Sequence, residues 1–230
     1  MHFQSRSRKK QSLIASNPET RKTGIEFLKK VIRIISKLRG DVLCGVLYAG
    51  WGELKDRMRT QEEWEHAKNG LLEVADVAKQ HRVVLALEPV NRFEGYFLNT
   101  AKDALKLVKE IGHPNIKIHL DTFQMNIEEK NLTQPIKTVE DELHHLHFCA
   151  NHRGTPGTGH IPWRDIFKSL KEIEYDNWGV IEAWIPQVFL FGEGKIPRKI
   201  AMWREIATDG RKTAKKGLDF LKKVEKEVLD

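Results

Sequence analysis

IKIHLD, Ile116 to Asp121, is a short apolar run that closes on a metal-ligand-type residue, and three other runs of the chain close on such residues too. VVLALEP carries Glu88, HHLH ends on His147, and GVIEAW carries Glu182. Each run is strand-like, rich in β-branched or large apolar residues, and ends in a residue type that can bind a metal. Strand-like runs lie at Val42–Tyr48, Val83–Leu87, Ile116–Leu120, Leu143–Phe148 and Trp178–Ala183, with patterns of helical spacing between them. Ile25, Leu28, Ile32, Ile35 and Leu38 make one apolar stripe, with Gly40 as its expected stop. Trp64, Ala67, Leu71, Val74 and Ala78 make the next. A third follows Thr100, an expected N-cap with Asp103 three residues on, and runs to Gly112. Later stripes lie on Trp163–Ile173 and Ala214–Val228.

Apolar strands joined by helical crossovers belong to a parallel α/β sheet covered on both faces. On this pattern a doubly wound sheet and a (β/α)8 barrel both remain open. The ligand-type residues favour the barrel, because they come from the C-terminal ends of four different strands, where barrel enzymes build their sites. A doubly wound nucleotide-binding fold would carry a glycine-rich phosphate loop, and neither G-x-G-x-x-G nor G-x-x-x-x-G-K-[ST] occurs. Five strands are expected where a closed barrel has eight, so the reading is an α/β TIM barrel incomplete at its N-terminus. It forms a single domain over 1–230, with a basic, disordered head at residues 1–12. An open arc would leave strand edges at Val42–Tyr48 and Trp178–Ala183, and the chain is expected to form a homo-oligomer.

The chain has 230 residues and a formal charge of +7. The charge is local: residues 1–40 carry +9, including SRSRKK at Ser5–Lys10, and the remainder carries −2. A body so close to neutral speaks against a nucleic-acid partner. The two cysteines, Cys44 and Cys149, have no C-x-x-C spacing, so no disulfide framework or zinc finger is implied. No run reaches the roughly 18 apolar residues of a membrane span, and no signal-peptide pattern opens the chain. A protein with reduced thiols in the cytoplasm, without a membrane partner, is expected.

Three carboxylates and one imidazole make a mostly oxygen site, suited to manganese or magnesium with positions left for water and substrate. Strand parity puts Asp121 in phase with His119, and His147 in phase with His145 and Cys149. A metal there could hold adjacent oxygens of a sugar and stabilise an enediolate while two carboxylates remove and return a proton. Asn91, Arg92, Glu94, Gln124, His152 and Arg153 follow the strand ends and suit a polyol. GTPGTGHIPW fixes a tight loop before the helix near Trp163. Trp51 reads as a sugar-stacking wall or as a core cap.

EPVNRFEGYFLNT, HLDTFQMNIEE, HLHFCANHRGTPGTGHIPW, NWGVIEAW and MWRE resemble, in order, the D-tagatose 3-epimerase and D-psicose (D-allulose) 3-epimerase family of xylose-isomerase-like barrels. The resemblance runs from about Ser12 to the C-terminus. It implies that Glu88, Asp121, His147 and Glu182 are metal ligands, usually of Mn(2+), with Co(2+) or Mg(2+) as alternatives. It makes Glu88 and Glu182 the catalytic acid/base pair at C3 of a ketose, acting through a metal-bound enediolate. Glu94, Arg153, Gln124 and Trp51 become substrate-binding residues. Gln124 stands where the family usually has histidine, and Ala150 where many members have glutamate. The family's first three βα units have no counterpart here.

Rival readings keep the metal and change the reaction, as in hydroxypyruvate isomerase or inosose dehydratase, or keep ligands without turnover. A zinc phosphodiesterase acting on abasic DNA would need more ligands than this pattern offers.

Overall fold

A computed structural model describes residues 2–6, 11–184, 204–207 and 209–230. Most of SRSRKK and the first half of MWRE lie outside these residues. Among the described residues six strands form one sheet in chain order: β1 (His2–Arg6), β2 (Val42–Val46), β3 (Val84–Leu87), β4 (Ile116–Asp121), β5 (Leu143–Phe148) and β6 (Trp178–Ile181). The helices are α1 (Pro18–Lys37), α2 (Gln61–Gln80), α3 (Ala101–Ile111), α4 (Thr122–Glu128), α5 (Gln134–Val139), α6 (Trp163–Glu172) and α7 (Gly210–Leu229). Contacts gather the chain into two compact units, Met1–Leu120 with Thr138–His145, and Asp121–Lys137 with Leu146–Asp230.

In the first unit β1 to β4 pair in parallel, in register His2 with Val42, Val42 with Val84 and Leu85 with Ile116. The strand β1 adds a sixth strand to the five expected and covers His2–Arg6 of the expected head, while residues 7–10 lie outside the described residues. HFQSR has no apolar run, so a search for apolar runs passes over it, yet its backbone pairs along the whole of β2. The edge expected at Val42–Tyr48 is therefore paired, and β2 itself stops at Val46.

Every residue of β2 is buried, as covering on both faces requires. Leu28, Ile32 and Ile35 supply the buried stripe of α1, and Trp64, Ala67, Leu71 and Val74 that of α2. The two helices pack on each other. A capping box fixes the start of α2: Thr60 accepts from the Glu63 N–H at 3.2 Å, and Glu63 accepts from the Thr60 N–H at 2.8 Å. Gly24 is required by a close approach, since a Cβ there would lie 2.5 Å from the Gln11 carbonyl oxygen. In the second unit α6 packs on α7, where Trp163 meets Phe220 edge-on at 6.1 Å. Phe148 stacks on Phe167 at 5.5 Å. The last strand in the order, β6, leaves Trp178 61% exposed.

Thr100 caps α3 as expected, accepting from the Asp103 N–H, and Gly112 ends that helix at φ 65°. The stop of α1 differs from expectation. Arg39 takes the left-handed conformation, at φ 59°, while the Gly40 N–H reaches back to the Ile35 carbonyl at 2.8 Å. This is a Schellman closure one residue ahead of the glycine. The same closure ends α2 with Arg82 at φ 57° and α6 with Glu174 at φ 52°. All three side chains are exposed.

An L-residue in this region costs about 1–2 kcal/mol, partly offset when glycine replaces it by the greater freedom of the unfolded chain. Arg39→Gly, Arg82→Gly and Glu174→Gly are each expected to raise stability by roughly 0.5–1 kcal/mol. Gly112→Ala should lower it by about 1 kcal/mol. Urea midpoints at unchanged m-value test both signs.

Candidate metal centre

The site in the second unit starts from a junction without a loop. Asp121 is the last residue of β4 and the N-cap of α4, so its backbone is extended while the next residue is already helical. Its Oδ1 accepts from the N–H groups of Phe123 at 2.6 Å and Gln124 at 3.2 Å. Asp121 thus satisfies two of the unpaired donors of a helix start and places its charge at the positive end of the helix. Oδ2 faces the site.

The hydroxyl of Thr122 joins this junction to the end of β5, donating to the Cys149 carbonyl at 2.6 Å and accepting from the Cys149 N–H at 2.8 Å. That bond holds His147, two residues earlier, beside Asp121. Nδ1 of His147 lies 3.9 Å from Asp121 Oδ2 and 3.6 Å from Glu182 Oε2. Glu182 follows β6 directly, and its N–H donates to the Phe148 carbonyl at 3.2 Å.

Arg153 sits in the turn after β5 with φ 62° and is 5% exposed. Its Nη1 donates to Glu182 Oε2 at 2.8 Å and to Asp121 Oδ2 at 3.3 Å. The guanidinium lies over the ring of Phe123, 3.9 Å from the centroid, and over that of Trp184, at 4.4 Å.

Electrostatics follow from this crowding. Burial pushes the Asp121 carboxyl up to about 7; Arg153 resists the rise, and the Glu182 charge adds to it. Burial acts upward on Glu182 too, but the nearby imidazole of His147 and the charge of Arg153 outweigh it. Its carboxyl is held well below the usual range. Burial pushes the Cys149 thiol well above its ordinary value, so it stays protonated and is a poor ligand.

One ligand atom each from Asp121, His147 and Glu182 lies within 4.8 Å of the others, which makes this group fit to hold a metal ion. Two carboxylates and an imidazole are a donor set for Mn(2+) or Mg(2+) more than for a thiolate-bound metal.

The other sequence-derived residues divide between the units. Gln124, 3% exposed, lies in the first turn of α4 beside its cap. In the first unit Glu88 is one residue past β3 and 2% exposed. Its carbonyl accepts from the Tyr48 hydroxyl at 2.7 Å, and its Oε2 is 3.7 Å from His119 Nδ1. His119 and His145 share a face as parity requires, their rings meeting edge-on at 5.0 Å. Trp51 and Glu94 are brought together, with the indole N–H donating to Glu94 Oε2 at 2.9 Å. Asn91 donates to Oε1 of the same carboxylate at 3.0 Å. Phe123 and Trp184, which flank Arg153, were not expected from sequence. Their signal is a shared offset: each is an aromatic residue two positions past a ligand-type carboxylate.

The fold and the strand-end carboxylates define a class, and a family comparison agrees. The chain belongs to the xylose isomerase-like TIM barrel family, whose model matches residues 6–224. It is 35% identical, over 87% of its length, to the D-psicose 3-epimerase of Enterocloster bolteae, and 34% identical over 86% to the L-ribulose 3-epimerase of Mesorhizobium japonicum. It spans 65% of the length of each of these two relatives, just under two thirds. Among solved structures, an L-ribulose 3-epimerase superposes with a TM-score of 0.90 at 31% identity, covering 99% of this chain and 75% of that one. A D-psicose 3-epimerase with D-tagatose, from Clostridium cellulolyticum H10, gives 0.88 at 32%, covering 96% and 77%. No helix among the described residues is long and apolar enough to cross a membrane.

The raised Asp121 pKa has a stability consequence for protein kept in chelator. A carboxyl with a folded value of about 7 and an unfolded value of about 3.9 contributes stability that is full below about pH 4 and lost as pH rises through 7. Asp121→Asn keeps an oxygen to cap α4 but removes the titration. The wild type is expected to lose stability relative to Asp121→Asn between about pH 4 and 7, measured by urea unfolding. Parallel curves would show that burial does not govern this carboxyl.

Proposed function

We propose that the chain is a divalent-metal-dependent ketose 3-epimerase. The observation that carries this is the gathering of Asp121 Oδ2, His147 Nδ1 and Glu182 Oε2 within 4.8 Å of one another at the ends of β4, β5 and β6. Glu88, one residue past β3 in the first unit, is the fourth ligand that the family resemblance implies. Mn(2+) is the preferred ion, with Co(2+) or Mg(2+) as substitutes. When bound, the metal supplies fixed positive charge that orients the ketose oxygens and eases removal of a carbon-bound proton.

The chain's own residues do the rest. One of Glu88 and Glu182 takes the proton from C3, and the other returns a proton to the opposite face. Arg153 donates to sugar oxygens, Glu94 accepts from a hydroxyl, and Trp51 offers a ring face for C–H groups. Gln124 can donate to and accept from a hydroxyl but carries no proton, so it positions without taking part in proton transfer. The relatives' names support a ketose substrate. We place the protein in the cytoplasm, consistent with Cys44 and Cys149 being buried and outside any disulfide, and as a homo-oligomer.

At saturating Mn(2+), Glu88→Gln and Glu182→Gln are each expected to lower kcat by about 10³-fold. Chelation should abolish turnover and Mn(2+) restore it. In D₂O the wild type should place deuterium at C3 of a ketose. A metal-loaded chain that interconverts no ketose epimers and exchanges no C3 hydrogen contradicts the proposal.

A further inference from the structure

Arg153 contacts Asp121 and Glu182 through Oδ2 and Oε2, the oxygens that those residues turn toward His147. A guanidinium cannot lose its proton, so its charge is permanent. Two cations sharing one buried pair of carboxylates repel each other strongly, because little water lies between them to screen the interaction. The guanidinium also lies over the ring of Phe123, 3.9 Å from its centroid, and over that of Trp184, at 4.4 Å. Its backbone is fixed: the Arg153 N–H donates to the Ala150 carbonyl at 2.9 Å, and the Trp184 N–H donates to the Arg153 carbonyl at 2.9 Å. Motion would therefore be confined to the side chain.

We propose that Arg153 is a resident counter-cation of the Asp121–Glu182 pair that a divalent ion displaces, so that metal loading moves the guanidinium off the ligands and presents it to substrate. This rests on the metal reading above and adds an order of events to it. Without an ion, Arg153 keeps two buried carboxylates compensated. With one, the same side chain becomes available to an electron-rich sugar oxygen. Intrinsic metal affinity is lowered by the competition.

The test is Mn(2+) affinity by calorimetry on the full chain, comparing wild type, Arg153→Gln and Arg153→Lys. Removing the competing charge should tighten binding about tenfold or more in Arg153→Gln, while Arg153→Lys, which keeps the charge, should stay within about threefold of wild type. Weaker or unchanged binding by Arg153→Gln would overturn the proposal, as would equal tightening in both variants. A second readout needs no change at Arg153. Addition of diamagnetic Mg(2+) to the wild type should alter tryptophan emission saturably as the guanidinium leaves Trp184, and Trp184→Phe should lack that change. Unaltered emission on saturation overturns the proposal. If no form binds a divalent ion, the metal reading falls with it. If the wild type binds and Arg153→Gln binds no tighter, only the displacement falls.

Discussion

Two carboxylates, the fully buried Asp121 and the partly buried Glu182, are held together, and the arrangement of the second unit answers to the cost of that placement. An isolated buried charge is costly, and each neighbour reduces the cost by a distinct route. The N–H groups of α4 bind one Asp121 oxygen. Arg153 bridges the other to Glu182, and His147 lies within 4 Å of both carboxylates. Burial still lifts the Asp121 carboxyl to about 7. A divalent cation relieves such a cluster more completely than a proton or a guanidinium can, which is why the geometry suits a metal rather than a structural ion pair.

The fold explains why these groups stand where they do. The carboxylates of the site stand at strand ends: Asp121 closes β4, and Glu182 follows β6 directly. The change from strand to helix at Asp121 occurs within one residue, and this brings a helix N-terminus to the strand end. Thr122 binds both backbone groups of Cys149, coupling that junction to β5. The strand-end position of Glu88 follows the same logic in the first unit, where Tyr48 fixes its backbone carbonyl.

Much of this was legible in the sequence wherever apolar patterning governs. The runs at Val83, Ile116 and Leu143 fell within a residue of β3, β4 and β5, because their buried apolar residues bound each strand. The strand-end reading selected Asp121, His147 and Glu182, which the fold gathers. What escaped depends on backbone pairing or on three-dimensional neighbours. HFQSR pairs with β2 through main-chain groups, to which hydropathy is blind. Arg39 in place of Gly40 at the left-handed position reflects closure geometry, which tolerates an exposed long side chain at some cost. The double duty of Asp121 as proposed ligand and cap, and the aromatic flanks of Arg153, emerge only once β4, β5 and β6 are in place.

The most direct test of the centre is pulsed EPR on the Mn(2+)-loaded chain. Coordination through His147 predicts a ¹⁴N coupling from a directly bound imidazole that vanishes in His147→Gln while Mn(2+) remains bound through the carboxylates. A spectrum without nitrogen coupling, or a coupling that survives His147→Gln, would contradict a metal held by these strand ends.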